Sequence, residues 1–497
     1  MTKLALWFWA AMGSILLFGL TIYWWSRPVQ PAIAAAATAY IVPSVVVAPT
    51  IVPPTATPTP LRFAARSQIG NVDISGMTAD EARRALQKAY APALAPLTLS
   101  GDAGSTIITA AEIDLTLPLD ASLDAAIAQA ADTLAVQVPL TPTYDVAKLH
   151  TILDDQSALV NLSPTLGLDR KTWTFVLTPG LALNVDATLA LITHSLELSV
   201  DSRHIMLATE PITNNLRATP DQLLAALAAR EQKWGGILGV SVHNLATNET
   251  IHYHGDTSFS GMSVIKIAIL LQSYISRPEF TKQQRNAIKL MISISDNKAS
   301  NELLAMIGDG DGLDGVQIMN ATLRDVLGLR GTLLEVPFES SDYLIKQRGL
   351  DITAHGREGA APFTDADLYI RATPNEMTTL LTAIVECAAG AGPLLEIEGT
   401  ALSAERCTEM LDVLSRNEDT NKIVAGVPET AFVAHKSGWI DDTRADAGYV
   451  RPINGDPYVV SMWMWDTEYI ETDVSDPLLA SVSRLVYTAQ NPRIVGK

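Results

Sequence analysis

Apolar and polar positions change register several times along this chain, and each change marks a part. Leu4 to Trp25 is an uncharged, mostly apolar run between Lys3 and Arg27, long enough for a helix spanning a bilayer's hydrocarbon core. From Arg27 to about Pro60, Pro, Ala, Thr and Val dominate, ending Thr-Ala-Thr-Pro-Thr-Pro, which predicts an extended stalk without a core. Ordered patterning begins near Ile69. Val72, Ile74 and a turn at Gly76 lead to a helix reaching about Tyr90, with Thr78 as N-cap and Glu81 closing a capping box. Short strands are expected at Leu97 to Leu99 and at Ile107-Ile108, then an Ala-rich helix from Leu123. A second unit follows: a strand from Trp173 to Leu177, a Pro179-Gly180 turn, and a helix from Val185 to Leu196.

Beyond Ala218 the pattern predicts a helix from Pro220 to Trp234 and β runs from Ile237 to His243 and from Glu249 to His254. A long helical stretch runs from Ser263 to about Gly308. Later β runs lie at Ala431 to His435, Ala447 to Val450 and Tyr458 to Trp465, and an amphipathic helix from Pro477 to Thr488 closes the chain. A helix, a hairpin, an inserted helical lobe, a return to the sheet and a last helix make an α/β sandwich with a helical subdomain. Such a fold leaves a cleft between sheet and helices. The expected division is an anchor at 1–26, a linker at 27–65, an α+β domain at 66–213 and the sandwich at 218–497, in keeping with a chain of 497 residues.

Charge narrows the partners. With 35 basic and 54 acidic residues the net charge is −19, which argues against a nucleic-acid partner. Trp24 and Trp25 suit a membrane interface, and the run is long for the core of a cleaved signal peptide, although the small residues at 34–39 would offer a cleavage site. Either way the bulk of the chain is expected outside the cytoplasm, held at the cell membrane or secreted. Cys387 and Cys407 are compatible with a disulfide or with two buried thiols, and no cofactor or metal site is expected. Asp309, Asp311 and Asp314 mimic the start of a calcium loop, but Asn320 stands where the closing Glu would be, so a plain helix-joining loop is expected. His252 and His254 share a strand face and are expected at the surface.

Three short motifs carry the chemistry. Ser263-Val264-Ile265-Lys266 places a hydroxyl and an amine one helical turn apart, on an otherwise apolar face. Serine needs a base to become a nucleophile, and a desolvated lysine is one. A helix N-terminus at Ser263 adds a free backbone N–H toward a developing oxyanion. In Ser295-Asp296-Asn297, Ser295 is placed to relay a proton, Asp296 to brace the loop and Asn297 to hold a substrate amide, with Asn301 on the same helix. In Lys436-Ser437-Gly438-Trp439, an edge strand would let Gly438 meet a substrate backbone, Lys436 and Ser437 bind a carboxylate, and the Trp439 N–H complete an oxyanion hole.

These three motifs in this order resemble class A β-lactamases and related penicillin-recognising serine hydrolases. Supporting matches are Gly239-Val240-Ser241-Val242, Met291-Ile292, Asn320, Leu323, Leu327-Gly328-Leu329, Thr332 and Ala372-Thr373-Pro374. The resemblance spans about 218–497 and implies a β-lactamase/D,D-peptidase-like sandwich of an antiparallel sheet with flanking helices. It also implies an acyl-enzyme on Ser263. The family's Glu-x-x-Leu-Asn is missing; Glu335 and Glu339, in Glu335-Val336-Pro337-Phe338-Glu339, are the candidate deacylation bases. The interval from Ser263 to Ser295 is shorter than the family's and that from Asn297 to Lys436 longer, which implies a reshaped cleft and slow deacylation. Upstream, Val72-x-Ile74-x-Gly76-Met77-Thr78-x-x-Glu81-Ala82 resembles peptidoglycan-binding α+β domains that precede cell-wall enzymes, implying a wall glycan as partner. Three readings follow: a tethered β-lactamase-type hydrolase, a D,D-carboxypeptidase-like enzyme acting on peptidoglycan stem peptides, or a non-catalytic wall binder or β-lactam sensor.

Overall fold

Five antiparallel strands organise the C-terminal half of this computed structural model, which describes residues 60–132, 134–198, 203–340 and 359–495. The anchor expected at 1–26 and nearly all of the linker expected at 27–65 lie outside the described residues. Among the described residues no helix is long and apolar enough to cross a membrane.

The first helix of this half, α1 (Pro220–Trp234), starts at a Thr219–Gln222 capping box with Pro220 in its first turn and ends at Gly235, whose φ of 108 suits glycine. Strands β1 (Ile237–Asn244) and β2 (Glu249–Tyr253) form the hairpin that the apolar runs predict. The helical lobe holds α2 (Lys266–Ser276), α3 (Lys282–Ser293), α4 (Asn297–Ile307) and α5 (Gly312–Asp325). The stretch expected as one long helical run is therefore broken by turns before Thr281 and at Ser295. Helices α6 (Pro374–Ala388), α7 (Ala404–Leu414) and the short α8 (Ile423–Gly426) precede β3 (Phe432–Trp439), β4 (Thr443–Arg451) and β5 (Tyr458–Trp465). The last helix, α9 (Thr472–Gln490), starts five residues before the expected Pro477.

The strand order is β2-β1-β5-β4-β3, so β3, with the Lys-Ser-Gly motif, is an edge. Side chains alternate faces with period two. Leu238, Val240, Val450, Val460 and Met462 face α1 and α9, while Ala434, Ala445, Ala447 and Trp463 join the apolar core of the helical lobe. The Trp463 indole N–H donates to the Ser260 carbonyl at 3.1 Å. That bond satisfies a buried polar group and ties the sheet to the segment entering Ser263.

Upstream, the Thr78–Glu81 capping box forms as expected and opens a helix at Ala79–Tyr90. The strand Thr174–Thr178 pairs with Thr165–Asp169 on one side and, in parallel, with Arg493–Ile494 from the chain's end on the other. Trp173 precedes this strand rather than beginning it. It shares an apolar cluster with Phe175, α1 and α9. Cys387 and Cys407 form a disulfide joining α6 to α7. Asp311 is the N-cap of α5, as a helix-joining loop requires. His254 departs from expectation: it lies past the end of β2 with φ 49, half-buried, its ring N within 2.9 Å of the Leu238 carbonyl.

Candidate active site

The segment leading to Ser263 is fixed from both sides. Phe259–Ser260 pairs with Ile370–Ala372, and the Gly261 N–H donates to the Ile370 carbonyl at 2.9 Å. Met262 then takes a φ of 47, and a 3-10 turn at Met262–Ile265 carries Ser263 into α2. Every residue of α2 from Lys266 to Tyr274 is buried. This apolar surround drives the lysine chemistry. Lys266 is 0 % exposed, and burial together with the nearby Lys436 charge pushes its ammonium down to about 7, against the pull of Asp296 and Glu339.

The first two motifs converge on that amine. Lys266 Nζ lies 2.6 Å from the Ser295 carbonyl, 2.7 Å from Asn297 Oδ1, 3.0 Å from Ser263 Oγ and 3.1 Å from Ser295 Oγ. Ser295 holds a φ of 63, which turns its carbonyl and hydroxyl toward Lys266 together. Asp296 caps α4, accepting from the Ala299 N–H at 2.6 Å. Met262, Ser295 and Glu339 are non-glycine residues at positive φ. Each such residue costs on the order of 1 kcal/mol and persists where the surroundings over-determine it.

Glu339 joins the cluster and Glu335 does not. The Asn297 side-chain amide donates to Glu339 Oε1 at 2.9 Å. Asn301 holds the segment by exchanging two bonds of 2.9 Å with the backbone of Phe338, whose ring lies 4.7 Å from Lys266 Nζ. Glu335 directly follows the short strand Leu333–Leu334, its N–H donating to the Tyr369 carbonyl at 2.7 Å.

The edge strand β3 closes the far wall. A Cβ at Gly438 would stand 3.0 Å from the Ser263 N and 3.0 Å from Met262 Cβ, so glycine is what lets β3 approach the Ser263 turn. Lys436 is fully buried, its Nζ donating to the Ser437 carbonyl at 2.8 Å, and burial pushes it down to about 8 despite Asp446 and Asp419. Trp439 is 66 % exposed at the strand's end. Behind Ser437 is a buried polar layer that sequence reading misses. Burial pushes Asp419 up, but Lys422 and the Ser437 hydroxyl outweigh it and hold its carboxyl below the ordinary range. Lys422 also pairs with Asp476 at 3.1 Å, and His435 with Asp446 at 2.9 Å. No periodicity links Asp419 or Asp446 to the motif, so nothing in the one-dimensional pattern marks them. Among the described residues no cluster of His, Cys, Asp or Glu could hold a metal ion.

Residues 276–490 match the model of the β-lactamase enzyme family. The C-terminal half is a β-lactamase-like serine hydrolase. The match begins after Ser263 and Lys266, and the fold returns those two residues to the matched motifs. Among solved structures, an ancestral class A β-lactamase is 25 % identical over 54 % of this chain and 100 % of its own, with a TM-score of 0.41. PBP-A is 24 % identical over 56 % and 96 %, with a TM-score of 0.40. A PBP-A variant solved as an acyl-enzyme with penicillin G is 23 % identical over 55 % and 96 %, also at 0.40. No curated protein matches the chain.

Proposed function

We propose that this hydrolase forms an acyl-enzyme on Ser263 with β-lactams, and that Glu339 serves its deacylation. The observation that carries the reading is the buried Lys266 amine, pushed down to about 7 and 3.0 Å from Ser263 Oγ. As a neutral amine it has two N–H groups. The two shortest contacts, to the Ser295 carbonyl and Asn297 Oδ1, are acceptors that use both. Its one lone pair is then left for the Ser263 hydroxyl proton. Lys266 takes the Ser263 proton as Oγ attacks the lactam carbonyl, and Ser295 passes a proton to the departing nitrogen. The Ser263 and Trp439 N–H groups face the oxyanion. Asn297, Lys436, Ser437 and Gly438 orient the substrate's amide, carboxylate and backbone.

Deacylation needs a water and a base on the Asn297 side of the cleft. Glu339 has that position through its bond to Asn297, whereas Glu335 lies outside the cluster. The chain around Glu339 lacks the family's Leu-Asn, so we expect slow turnover. A D,D-peptidase activity on stem peptides would use the same acyl-enzyme. An anchor at 1–26 and a wall-facing role for 66–213 complete the reading on sequence grounds, with antibiotic protection at the cell envelope as the physiological setting. Time-resolved intact mass spectrometry with benzylpenicillin tests the core of it. A Ser263-dependent adduct that decays to free enzyme and hydrolysed drug supports hydrolysis, a persisting adduct favours the peptidase or sensor readings, and absence of any adduct defeats the proposal.

A further inference from the structure

On the side of the sheet away from the cleft, four cations line a cavity of about 630 Å³: Lys171, Arg230, Arg484 and Arg493. Trp173 also lines it. Trp173 is 6 % exposed and has a φ of 52, a left-handed conformation at a bulky residue that only a firmly packed surround sustains. The Arg230 guanidinium lies 5.2 Å from the centroid of the Trp173 ring, and Lys233 Nζ lies 5.7 Å from it. Arg230 Nε donates to Ser481 Oγ at 2.8 Å, and Arg484 donates to the Thr172 carbonyl at 3.2 Å and the Ala425 carbonyl at 3.4 Å. These fixed bonds aim the guanidinium groups without neutralising them.

Among the described residues, Lys171, Arg230, Lys233 and Arg484 make no ion pair, and Arg493 reaches only Asp169, at 3.9 Å. The chain carries 54 acidic residues against 35 basic, so an unneutralised group of cations at one place runs against its average. Burial disfavours the charge of Arg230 further. Cations gathered around one cavity attract an anion of high charge density. Arginine forks match phosphate oxygens two at a time. A single carboxylate would leave most of the cavity's charge uncompensated.

We propose that this cavity binds a phosphate-bearing ligand, held between Lys171, Arg230 and Arg484. The phosphate can be that of a soluble anion or of a phospholipid headgroup. The test is calorimetric titration of the full chain with inorganic pyrophosphate at low salt, in neutral detergent micelles doped with phosphatidylcholine or with phosphatidylglycerol. Saturable binding is expected, weakened at least tenfold in Lys171→Gln/Arg484→Gln and unchanged in Ser263→Ala. Weaker pyrophosphate binding in the phosphatidylglycerol micelles marks a lipid headgroup as the occupant, and equal binding marks a soluble phosphate. Lys171→Glu is the second variant: its side chain is exposed, so the fold is retained, and it too should lose binding. Absence of saturable heat, or binding that survives both variants, overturns the proposal. Neither outcome depends on acylation at Ser263.

Discussion

If Lys266 is the base, the acylation rate carries its titration. An ordinary lysine titrates near 10.5, so at pH 7 only about one amine in 3,000 is neutral. Burial and Lys436 bring Lys266 down to about 7, where half is neutral, a gain on the order of a thousandfold in competent base. The sign follows from the role: the base works deprotonated, so acylation climbs about tenfold per pH unit below 7 and levels off above it. Lys436 has the opposite requirement. In the proposed mechanism its positive charge meets the substrate carboxylate, and that charge is lost as pH rises through about 8. The second-order acylation rate constant should therefore peak between about 7 and 8. Replacing Lys436 with Gln removes the charge that depresses Lys266, so the acid limb should move to higher pH while the alkaline limb disappears. Stopped-flow nitrocefin acylation from pH 5.5 to 9.5, with wild type and Lys436→Gln, gives both limbs. A wild-type rate flat from pH 5.5 to 7.5, or an acid limb moving down in Lys436→Gln, would refute the assignment of Lys266.

Glu339→Gln should leave acylation within about threefold of wild type and slow adduct decay at least tenfold, read by intact mass, while Glu335→Gln should change neither step. Asn301→Ala removes both bonds to the Phe338 backbone, so it should slow deacylation more than acylation in the same assay. Gly438→Ala drives a Cβ to 3.0 Å from the Ser263 N and should cut the acylation rate at least a hundredfold with a far-UV circular dichroism spectrum unchanged. Cys387→Ser/Cys407→Ser opens a link across a sequence separation of 20 residues and should cost about 3 kcal/mol in urea unfolding; no change in midpoint would show that the α6–α7 packing holds without it.

The sequence by itself determined the order of elements and named the motif residues that the fold gathers at the cleft. Periodicity placed α1, the β1–β2 hairpin and the strand Tyr458–Trp465, because a sheet buried on both faces needs continuous apolar runs and a capped helix needs Thr and Pro at its start. The motifs named Ser263, Lys266, Ser295, Asn297 and Lys436, since local spacing sets which side chains share a helical face. What the tertiary structure decided are relations between residues far apart in the chain. It separated Glu339 from Glu335: the two lie four positions apart on an irregular segment, and the bonds between Asn301 and the Phe338 backbone aim only one of them at Asn297. It supplied the desolvation that a Lys266 base requires, because desolvation is a property of the whole surround and not of the neighbours in sequence. The same holds for Asp419 behind Ser437 and for the cations around Trp173, brought together by a hairpin near residue 170 and the helices that begin and end the hydrolase. Long-range electrostatics arises from packing, and packing leaves no period in the sequence.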